Sequence, residues 1–331
     1  MSSAASGAPC PVRVAVVGPT ATGKSDLALA LADQAQAGGM SDGAEIINAD
    51  ASLLYRGMDI GTAKPSPAER ARAPHHQIDV LTVRDRASVA AFQRSARGDI
   101  DAVESRGHLP IIAGGSGLYV RALTDDLDFP GTDPTVRTRL SERAEREGTA
   151  ALHAELARLD PAAAERVEAS NTRRIVRALE VIEITGRPFS ASLPRYEDIA
   201  PTVHIALRCE RRLLDLRIND RARAMFERGL VEEVETLIDQ GIREGQTAPR
   251  AIGYAQALAV IDGTMSVPEA VDSTALATRQ LASRQIKWFR RDPRVHWIDV
   301  ALTETGQCTD SERSRMVRQA WELVLARRGV A

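Results

Sequence analysis

The sequence at residues 14–31 is VAVVGPTATGKSDLALAL, and this stretch restricts the fold of the chain more than any other. An apolar run leads into the pattern G-x-x-x-x-G-K-[ST], and a helix-forming segment follows it. A loop of this kind, placed between a strand and a helix, binds phosphate groups through its backbone N–H groups and the helix N-terminus. The pattern predicts a polyphosphate site and leaves open whether the phosphate is transferred or departs.

Lys24 and Ser25 carry the chemistry of this loop. A lysine at this position supplies a point charge to the outer phosphates, and the adjacent hydroxyl is suited to a Mg²⁺ ion. A plain glycine-rich turn is the alternative, and the flanking strand and helix disfavour it. The predicted pyrophosphate-binding residues are Gly18, Pro19, Thr20, Ala21, Thr22, Gly23, Lys24 and Ser25, with Ser25 as the metal ligand.

Short apolar runs alternate with helical segments in the first third of the chain. The runs VRVAVV, AEIINAD and LPIIAGG are typical of a parallel sheet covered on both faces. Ligands of such sheets bind at the carboxyl ends of the strands. The sequence therefore predicts an α/β fold with a P-loop NTPase-like parallel sheet core, and one crevice that collects Lys24, Ser25, Asp50 and Ser116.

After the third apolar run the pattern becomes helical. Asp133 and Asn171 are suited to cap helices, which predicts a small all-helical insertion domain. A returning strand is predicted at 203–209, and Ser266 with Glu269 forms the capping-box pattern of a later long helix. The predicted division is a disordered tail at 1–11, the first part of the core at 12–126, the insertion at 127–196, the second part of the core at 197–300 and a C-terminal helical tail at 301–331.

Composition excludes several classes of protein. The chain has 331 residues, 44% of them hydrophobic, and a net charge of −2, which argues against a uniformly basic nucleic-acid surface and leaves room for a local patch. No apolar run is long enough for a membrane span, and the N-terminus lacks the pattern of a signal peptide, so we expect a cytoplasmic protein. Three distant cysteines argue against a disulfide framework, and the adjacent His75 and His76 are better suited to hydrogen bonding than to a metal.

The segment NADASLLYRGMDIGTAKP, residues 48–65, distinguishes two fates of the phosphate. In a kinase, the terminal phosphorus is attacked and Asp50 would bind the metal. If carbon is attacked instead, pyrophosphate is the leaving group and Asp50 becomes a base. A helix cap is the simpler alternative for Asp50 alone. The mixture of acids, Tyr, Arg and Lys in this segment is typical of a loop that lines a site.

The sequence resembles the tRNA dimethylallyltransferase family over about residues 13 to 300. The motifs that carry the resemblance occur in the family's order, and there are several beyond the phosphate loop. They are GPTATGKS, INADASLLYRGMDIGTAKP, PHHQIDV, AFQRSA, IIAGGSGLYVRAL, NTRRIVRALEVIEITGRP, LRINDRARAMFERGLVEEV, AIGYAQAL and ATRQLASRQIKWFR.

The resemblance implies transfer of a dimethylallyl group from dimethylallyl pyrophosphate to N6 of the adenosine at position 37 of tRNA, 3′ to the anticodon. It implies Mg²⁺, a monomer and the anticodon stem-loop as partner. Asp50 would take the amine proton, Ser116 would contact Asp50 or the pyrophosphate, and Arg217 would neutralise the departing charge. The implied tRNA-binding residues are Asp50, Ser52, Leu53, Leu54, Tyr55, Arg173, Arg174, Arg177, Arg279, Arg284, Lys287 and Arg290.

This chain departs from the family pattern at a few positions. Ser116 occupies a place where Thr is usual, and it keeps the hydroxyl. Leu53 occupies a place often given to Gln, which bears on adenine recognition. Ala255 and Ser283 stand where Lys is common, and Lys287 stands where Thr is usual, so contacts to RNA would be redistributed.

Residues 279–294 form a basic stripe that includes Trp288 and Phe289. Positive charge interleaved with aromatic rings is suited to phosphates and unstacked bases. A solvated amphipathic helix with its aromatics in the core is the alternative. The arginines at 173, 174 and 177 are ambiguous in the same way, because they can pair with Glu180 or Glu183 on the same helix.

Three other functions remain open at this point. A related enzyme could use free AMP, ADP or ATP as acceptor, although the family's nucleotide-specific members lack the helical insertion. A P-loop small-molecule kinase is disfavoured because LPIIAGG ends in glycines and not in a metal-binding Asp. A non-catalytic RNA-binding protein would leave Asp50 without a role.

Overall fold

The computed structural model describes residues 12–38, 41–192 and 196–329, so the predicted tail at 1–11 lies outside the described residues. Its core is a six-stranded sheet in which every neighbouring pair is parallel, in the order β3-β2-β4-β1-β5-β6. The strands are β1 (Arg13–Val17), β2 (Ala44–Asn48), β3 (His75–His76), β4 (Leu109–Ala113), β5 (Thr202–Arg208) and β6 (Val295–Asp299).

Helices cover both faces of the sheet and form the insertion. The helices are α1 (Lys24–Ala37), α2 (Pro67–Arg72), α3 (Val89–Ser105), α4 (Gly117–Thr124), α5 (Pro134–Glu147), α6 (Thr149–Leu159), α7 (Pro161–Arg166), α8 (Thr172–Thr185), α9 (Arg211–Glu227), α10 (Leu230–Asp239), α11 (Tyr254–Ile261), α12 (Val267–Phe289) and α13 (Asp310–Arg328). Short 3₁₀ helices lie at Ala51–Leu54, Phe189–Ser192, Ile242–Glu244 and Ala248–Arg250.

The predicted fold class is confirmed by this sheet. Strands β1 and β2 are buried along their whole length, which explains why most of their residues are apolar. The returning strand predicted at 203–209 is β5. The capping box of Ser266 and Glu269 is present at the start of α12, where the Ser266 hydroxyl accepts from the Glu269 amide.

The chain divides into two compact units, and the smaller one is Asp125–Glu197. It contains α5 to α8 around a cluster that includes Leu140, Leu152 and Ile175. The predicted caps are confirmed: the Asp133 side chain accepts from the amides of the first turn of α5, and Asn171 accepts from the amide of Arg174.

The larger unit contains the sheet and the remaining helices, including α13. The C-terminal segment predicted as a helical tail belongs to this core, because Met316, Ala320 and Val324 of α13 are buried in the same hydrophobic cluster as β1 and α1. Their spacing of four residues places them on one helical face. The tail interpretation is therefore corrected for the described residues 301–329.

Candidate active site

The phosphate loop connects β1 to α1 and is closed by its own side chains. The Thr22 hydroxyl and the Lys24 ammonium both donate to the carbonyl oxygen of Pro19, at 2.9 and 2.7 Å. The lysine is therefore folded back over the loop at the N-terminus of α1. Ser25, the first residue beyond it, is exposed. The predicted anion-binding elements, the lysine charge and the helix N-terminus, lie together.

Asp50 follows β2 and caps the 3₁₀ helix Ala51–Leu54. Its Oδ1 accepts from the Ser52 amide at 3.1 Å and from the Ser52 hydroxyl at 2.7 Å. Oδ1 of Asn48 accepts a hydrogen bond from the Asp50 amide at 2.9 Å, and Nδ2 of Asn48 donates to the Asp50 carbonyl at 3.0 Å. The helix-cap alternative is thus correct as a description of contacts, and it leaves the carboxylate fixed at the carboxyl edge of the sheet.

Ser116 approaches the same place from the end of β4. Its hydroxyl accepts from the Ala51 amide at 3.3 Å, and its own amide donates to the Ala49 carbonyl at 3.3 Å. Gly114 makes this approach possible, because a Cβ there would lie 2.3 Å from the Ala49 backbone. Ser116 therefore contacts the backbone on either side of Asp50 and not the carboxylate itself. A contact of Ser116 with pyrophosphate stays a prediction.

Four charged groups define the electrostatics of the site. Burial lowers the pKa of the Lys24 ammonium to about 8, an effect that the Asp50 carboxylate opposes and the Arg221 guanidinium reinforces. Burial also lowers the pKa of Arg221, again opposed by Asp50 and reinforced by Arg217. Lys24 and Arg221 interact with each other and with the Asp50 carboxylate, and Arg217 interacts with Arg221. This group of cations is suited to a ligand of high negative charge.

Arg221 is a site residue that the sequence analysis missed. It lies four residues after Arg217 on α9, so both side chains project from the same helical face. That spacing was visible in the sequence and is the signal that could have found it. Arg217 donates from Nη1 to the carbonyl of Gly306 at 3.3 Å.

The side chains of Leu54 and Tyr55, which the resemblance assigns to tRNA binding, pack against protein groups in this structure. Both are buried, at 2% and 1% exposure, and Tyr55 joins a hydrophobic cluster with Met58 and Leu230. The loop after β2 has too few apolar residues to look like core, and it is buried because helices α10 and α11 pack against it. Ser52 and Leu53 keep partial exposure.

The basic stripe is divided by the structure. Arg284 and Lys287 of α12 and Arg290 at its C-cap are exposed, and Trp288 is half-exposed, whereas Phe289 is buried in the core. Other members of the stripe bind protein groups. Arg294 binds Asp198 and Asp292, and Arg279 donates to the Asn219 side chain.

In the smaller unit, Arg173 and Arg174 are exposed at the start of α8. Arg177 donates to Glu180 at 2.9 Å and to the carbonyls of Pro130 and Gly131, at 2.6 and 3.0 Å. The pairing alternative therefore accounts for Arg177, whose side chain holds the segment before α5. A tRNA contact of Arg173 and Arg174 stays a prediction.

The paired histidines have the hydrogen-bonding role that their adjacency predicts. His75 binds the Ala73 carbonyl at 2.8 Å, and His76 binds the Glu45 carboxylate at 2.6 Å. The pKa of that carboxyl is raised by burial and lowered more strongly by hydrogen bonds from His76, Arg106 and His108, to about 2. Within the described ranges, no group of three or more His, Cys, Asp or Glu is suited to hold a metal ion.

Fold and site together define a class: an α/β protein with a phosphate loop, in which the loop lysine and Arg221 of α9 interact with a carboxylate at the carboxyl edge of a parallel sheet. Such a site is suited to a polyphosphate beside a candidate base. The family is shown by sequence comparison. The family model for IPP transferase matches residues 53–292, and the chain belongs to this family.

Curated relatives match over nearly their whole length. A tRNA dimethylallyltransferase of Rhodococcus jostii (strain RHA1) is 52% identical over 310 residues, which are 92% of this chain and 98% of the relative. A tRNA dimethylallyltransferase of Streptomyces coelicolor is 51% identical over 316 residues, covering 96% of each chain.

Solved structures have the same fold. A full-length tRNA isopentenylpyrophosphate transferase from Bacillus halodurans is 35% identical, with a TM-score of 0.66, and the match covers 96% of this chain and 97% of that one. A eukaryotic dimethylallyltransferase acting on tRNA is 22% identical with a TM-score of 0.75, a likeness of fold alone. Among the helices of the described residues, none combines the length and the apolar character that crossing a membrane requires.

Proposed function

We propose that this protein transfers the dimethylallyl group of dimethylallyl pyrophosphate to N6 of the adenosine at position 37 of tRNA, 3′ to the anticodon, and releases pyrophosphate. Membership of the IPP transferase family supports the reaction class. The observation that supports the assignment of roles is the electrostatic coupling of Lys24 and Arg221 to Asp50, because it sets cations suited to pyrophosphate beside a carboxylate.

In this reaction the adenine N6 forms a bond to the allylic carbon as the bond from that carbon to the pyrophosphate oxygen breaks. The amine lone pair is delocalised into the ring, so removal of its proton assists the attack. Asp50 accepts this proton. The electron pair of the broken bond goes to pyrophosphate, whose charge Lys24, Arg217 and Arg221 stabilise.

Mg²⁺ is part of the proposal. The exposed Ser25 hydroxyl follows Lys24 at the helix N-terminus, and Mg²⁺ at such sites is held by a few protein oxygens together with phosphate oxygens and water. That donor set agrees with the absence of an acidic or histidine cluster among the described residues. When bound, the ion would neutralise charge on the leaving pyrophosphate.

Two alternatives are tested with the main proposal. A free nucleotide acceptor would make the helices of the smaller unit unnecessary, and a kinase would need Asp50 to bind metal. Asp50 is committed to Ser52 through Oδ1 and lies beside Lys24 and Arg221, which favours proton acceptance at the edge of a pyrophosphate site. We also propose that the protein is cytoplasmic and monomeric. Sedimentation of the free protein checks the oligomeric state.

The deciding experiment is nucleoside mass spectrometry of unmodified tRNA incubated with the protein, Mg²⁺ and dimethylallyl pyrophosphate, with parallel reactions that offer AMP or ATP. Isopentenyladenosine in tRNA alone supports the proposal. Product in the free nucleotide would move the acceptor to that class. No product in any reaction, with phosphate transfer from ATP, would favour the kinase.

A further inference from the structure

One buried side chain joins the phosphate loop to the loop that follows β4. The Thr20 amide donates to Oε1 of Gln285 at 2.9 Å, and Nε2 of Gln285 donates to the Gly115 carbonyl at 3.0 Å. Gln285 lies on α12 and is 6% exposed. Both bonds end on backbone atoms of site loops, so the side chain links two segments that are distant in sequence.

The two partners require a side chain that both accepts and donates, as the Gln285 amide does. A backbone N–H only donates and a carbonyl only accepts, so the linking group needs one acceptor and one donor at its tip. A carboxylate lacks the donor and an apolar side chain lacks both. The fit is close on the other side too, since a Cβ at residue 115 would lie 2.2 Å from Nε2, and glycine alone leaves that space.

Each bond adjoins a residue of the proposed reaction. Thr20 follows Pro19, whose carbonyl accepts from Lys24. Gly115 precedes Ser116, whose hydroxyl accepts from the Ala51 amide next to Asp50. The Gln285 amide therefore spans from the pyrophosphate side of the site to the base side.

We infer that Gln285 is a positioning residue of the transferase, which fixes the phosphate loop against the Gly114–Gly117 loop and so sets the donor relative to the base. The inference rests on the proposed function for the meaning of donor and base. Gln285 acts through Thr20 and Ser116, and it differs in this from Arg284 and Lys287 beside it, whose side chains are exposed.

The test compares Gln285→Met with Gln280→Met. Methionine keeps a similar length and volume and removes both hydrogen bonds, and Gln280 is an exposed residue of the same helix. We expect Gln285→Met to weaken the binding of inorganic pyrophosphate, measured by calorimetry with Mg²⁺, and to lower kcat, each by about tenfold. Affinity for tRNA stays within about twofold of wild type, as do all parameters of Gln280→Met.

Two results would overturn the inference. One is pyrophosphate affinity and kcat in Gln285→Met equal to those of Gln280→Met. The other is a parallel loss of tRNA affinity, which would indicate general loss of structure. If Gln285→Met does not fold, Gln285→Glu tests the same link, because it keeps the acceptor for Thr20 and loses the donor for Gly115.

For Gln285→Glu the measurement is amide hydrogen exchange. We expect faster exchange at Ala51 and Ser116 and unchanged protection at Thr20, and unchanged exchange at all three overturns the inference. Different measurements refute the proposed function and the role of Gln285. A wild-type protein that transfers no prenyl group refutes the proposed function, whereas pyrophosphate affinity and exchange still report on the link through Gln285.

Discussion

The hydroxyl of Ser52 donates to Oδ1 of Asp50 at 2.7 Å, and the amide of the same residue donates to the same oxygen at 3.1 Å. Among the described residues, no hydrogen bond ends on Oδ2 of Asp50. One oxygen therefore orients the carboxylate, and the other is free to accept a proton. The different roles of the two carboxylate oxygens predict that substitutions of Asp50 and of Ser52 have different effects.

Asp50→Asn should remove proton acceptance and keep the cap, because the amide oxygen still accepts from Ser52. We expect the rate of a single turnover to fall by about a hundredfold or more, with tRNA affinity retained. Ser52→Ala serves as the comparison: it loosens the carboxylate without removing it and should cost less. Loss of tRNA binding in Asp50→Asn, with normal turnover at saturating tRNA, contradicts the base role.

The lowered pKa of Lys24 predicts a pH dependence of donor use. The ammonium form binds pyrophosphate, and with a pKa of about 8 the free enzyme loses this charge as pH rises through that value. For dimethylallyl pyrophosphate, kcat/KM should therefore be constant below about pH 8 and decline above that pH. This parameter reports the ionisation of groups in the free enzyme.

Lys24→Arg is the matched variant for this limb, because a guanidinium stays charged across the range. We expect lower activity from the different shape and no decline that starts near pH 8. An identical alkaline limb in Lys24→Arg would assign the titration to another group.

Arg221→Gln should weaken pyrophosphate binding, because it removes a positive charge of the site. Inhibition by inorganic pyrophosphate should weaken by about tenfold or more. The alkaline limb of Lys24 should also move to higher pH, since Arg221 lowers the pKa of that lysine. Arg223→Gln, an exposed position two residues along α9, should change neither quantity. Equal effects of the two substitutions would remove Arg221 from the site.

Tyr254 stabilises the loop after β2 through Glu233. Its hydroxyl donates to Glu233 at 2.6 Å, and Glu233 also accepts from the Ile60 amide at 2.8 Å. Burial and the Glu233 charge raise the pKa of Tyr254, so it remains a neutral donor. Tyr254→Phe should lower the free energy of unfolding by about 2 kcal/mol, measured with urea, because the bond is to a charged acceptor.

Tyr55→Phe is the control for this substitution. The Tyr55 hydroxyl donates to the Asp85 carbonyl at 3.4 Å, a long and neutral hydrogen bond. Its loss should cost less than that of Tyr254. The reverse order of the two costs would contradict the anchoring role of Glu233.

The strands that sequence patterns predicted and those that they missed differ in how they are stabilised. β1, β2, β4 and β5 are mostly apolar and almost entirely buried, because helices cover both faces of the sheet. β3 is two histidines at one edge, and β6 at the other edge has residues of mixed exposure. Neither carries a local pattern, because pairing with β2 and β5 is what makes each extended.

In the candidate site too, some features follow from local sequence and others only from packing. Motif spacing placed the phosphate loop, Asp50 and Ser116 at the carboxyl ends of strands, where the fold brings them together. Helix α9 contains several arginines, and the sequence does not show which of them reach the site. Only the packing of that helix sets Arg221 beside Lys24. Leu54 and Tyr55 belong to a loop whose composition does not reveal burial, which here comes from α10 and α11.

The sequence by itself determined the parallel α/β core, the helical insertion, its caps and the phosphate loop, because each of these depends on residues that are close along the chain. Only the tertiary structure decided that Arg221 joins the site, that α13 completes the core, and that Gln285 links two loops. These depend on contacts between residues far apart in sequence, for which a local pattern of side chains carries no signal.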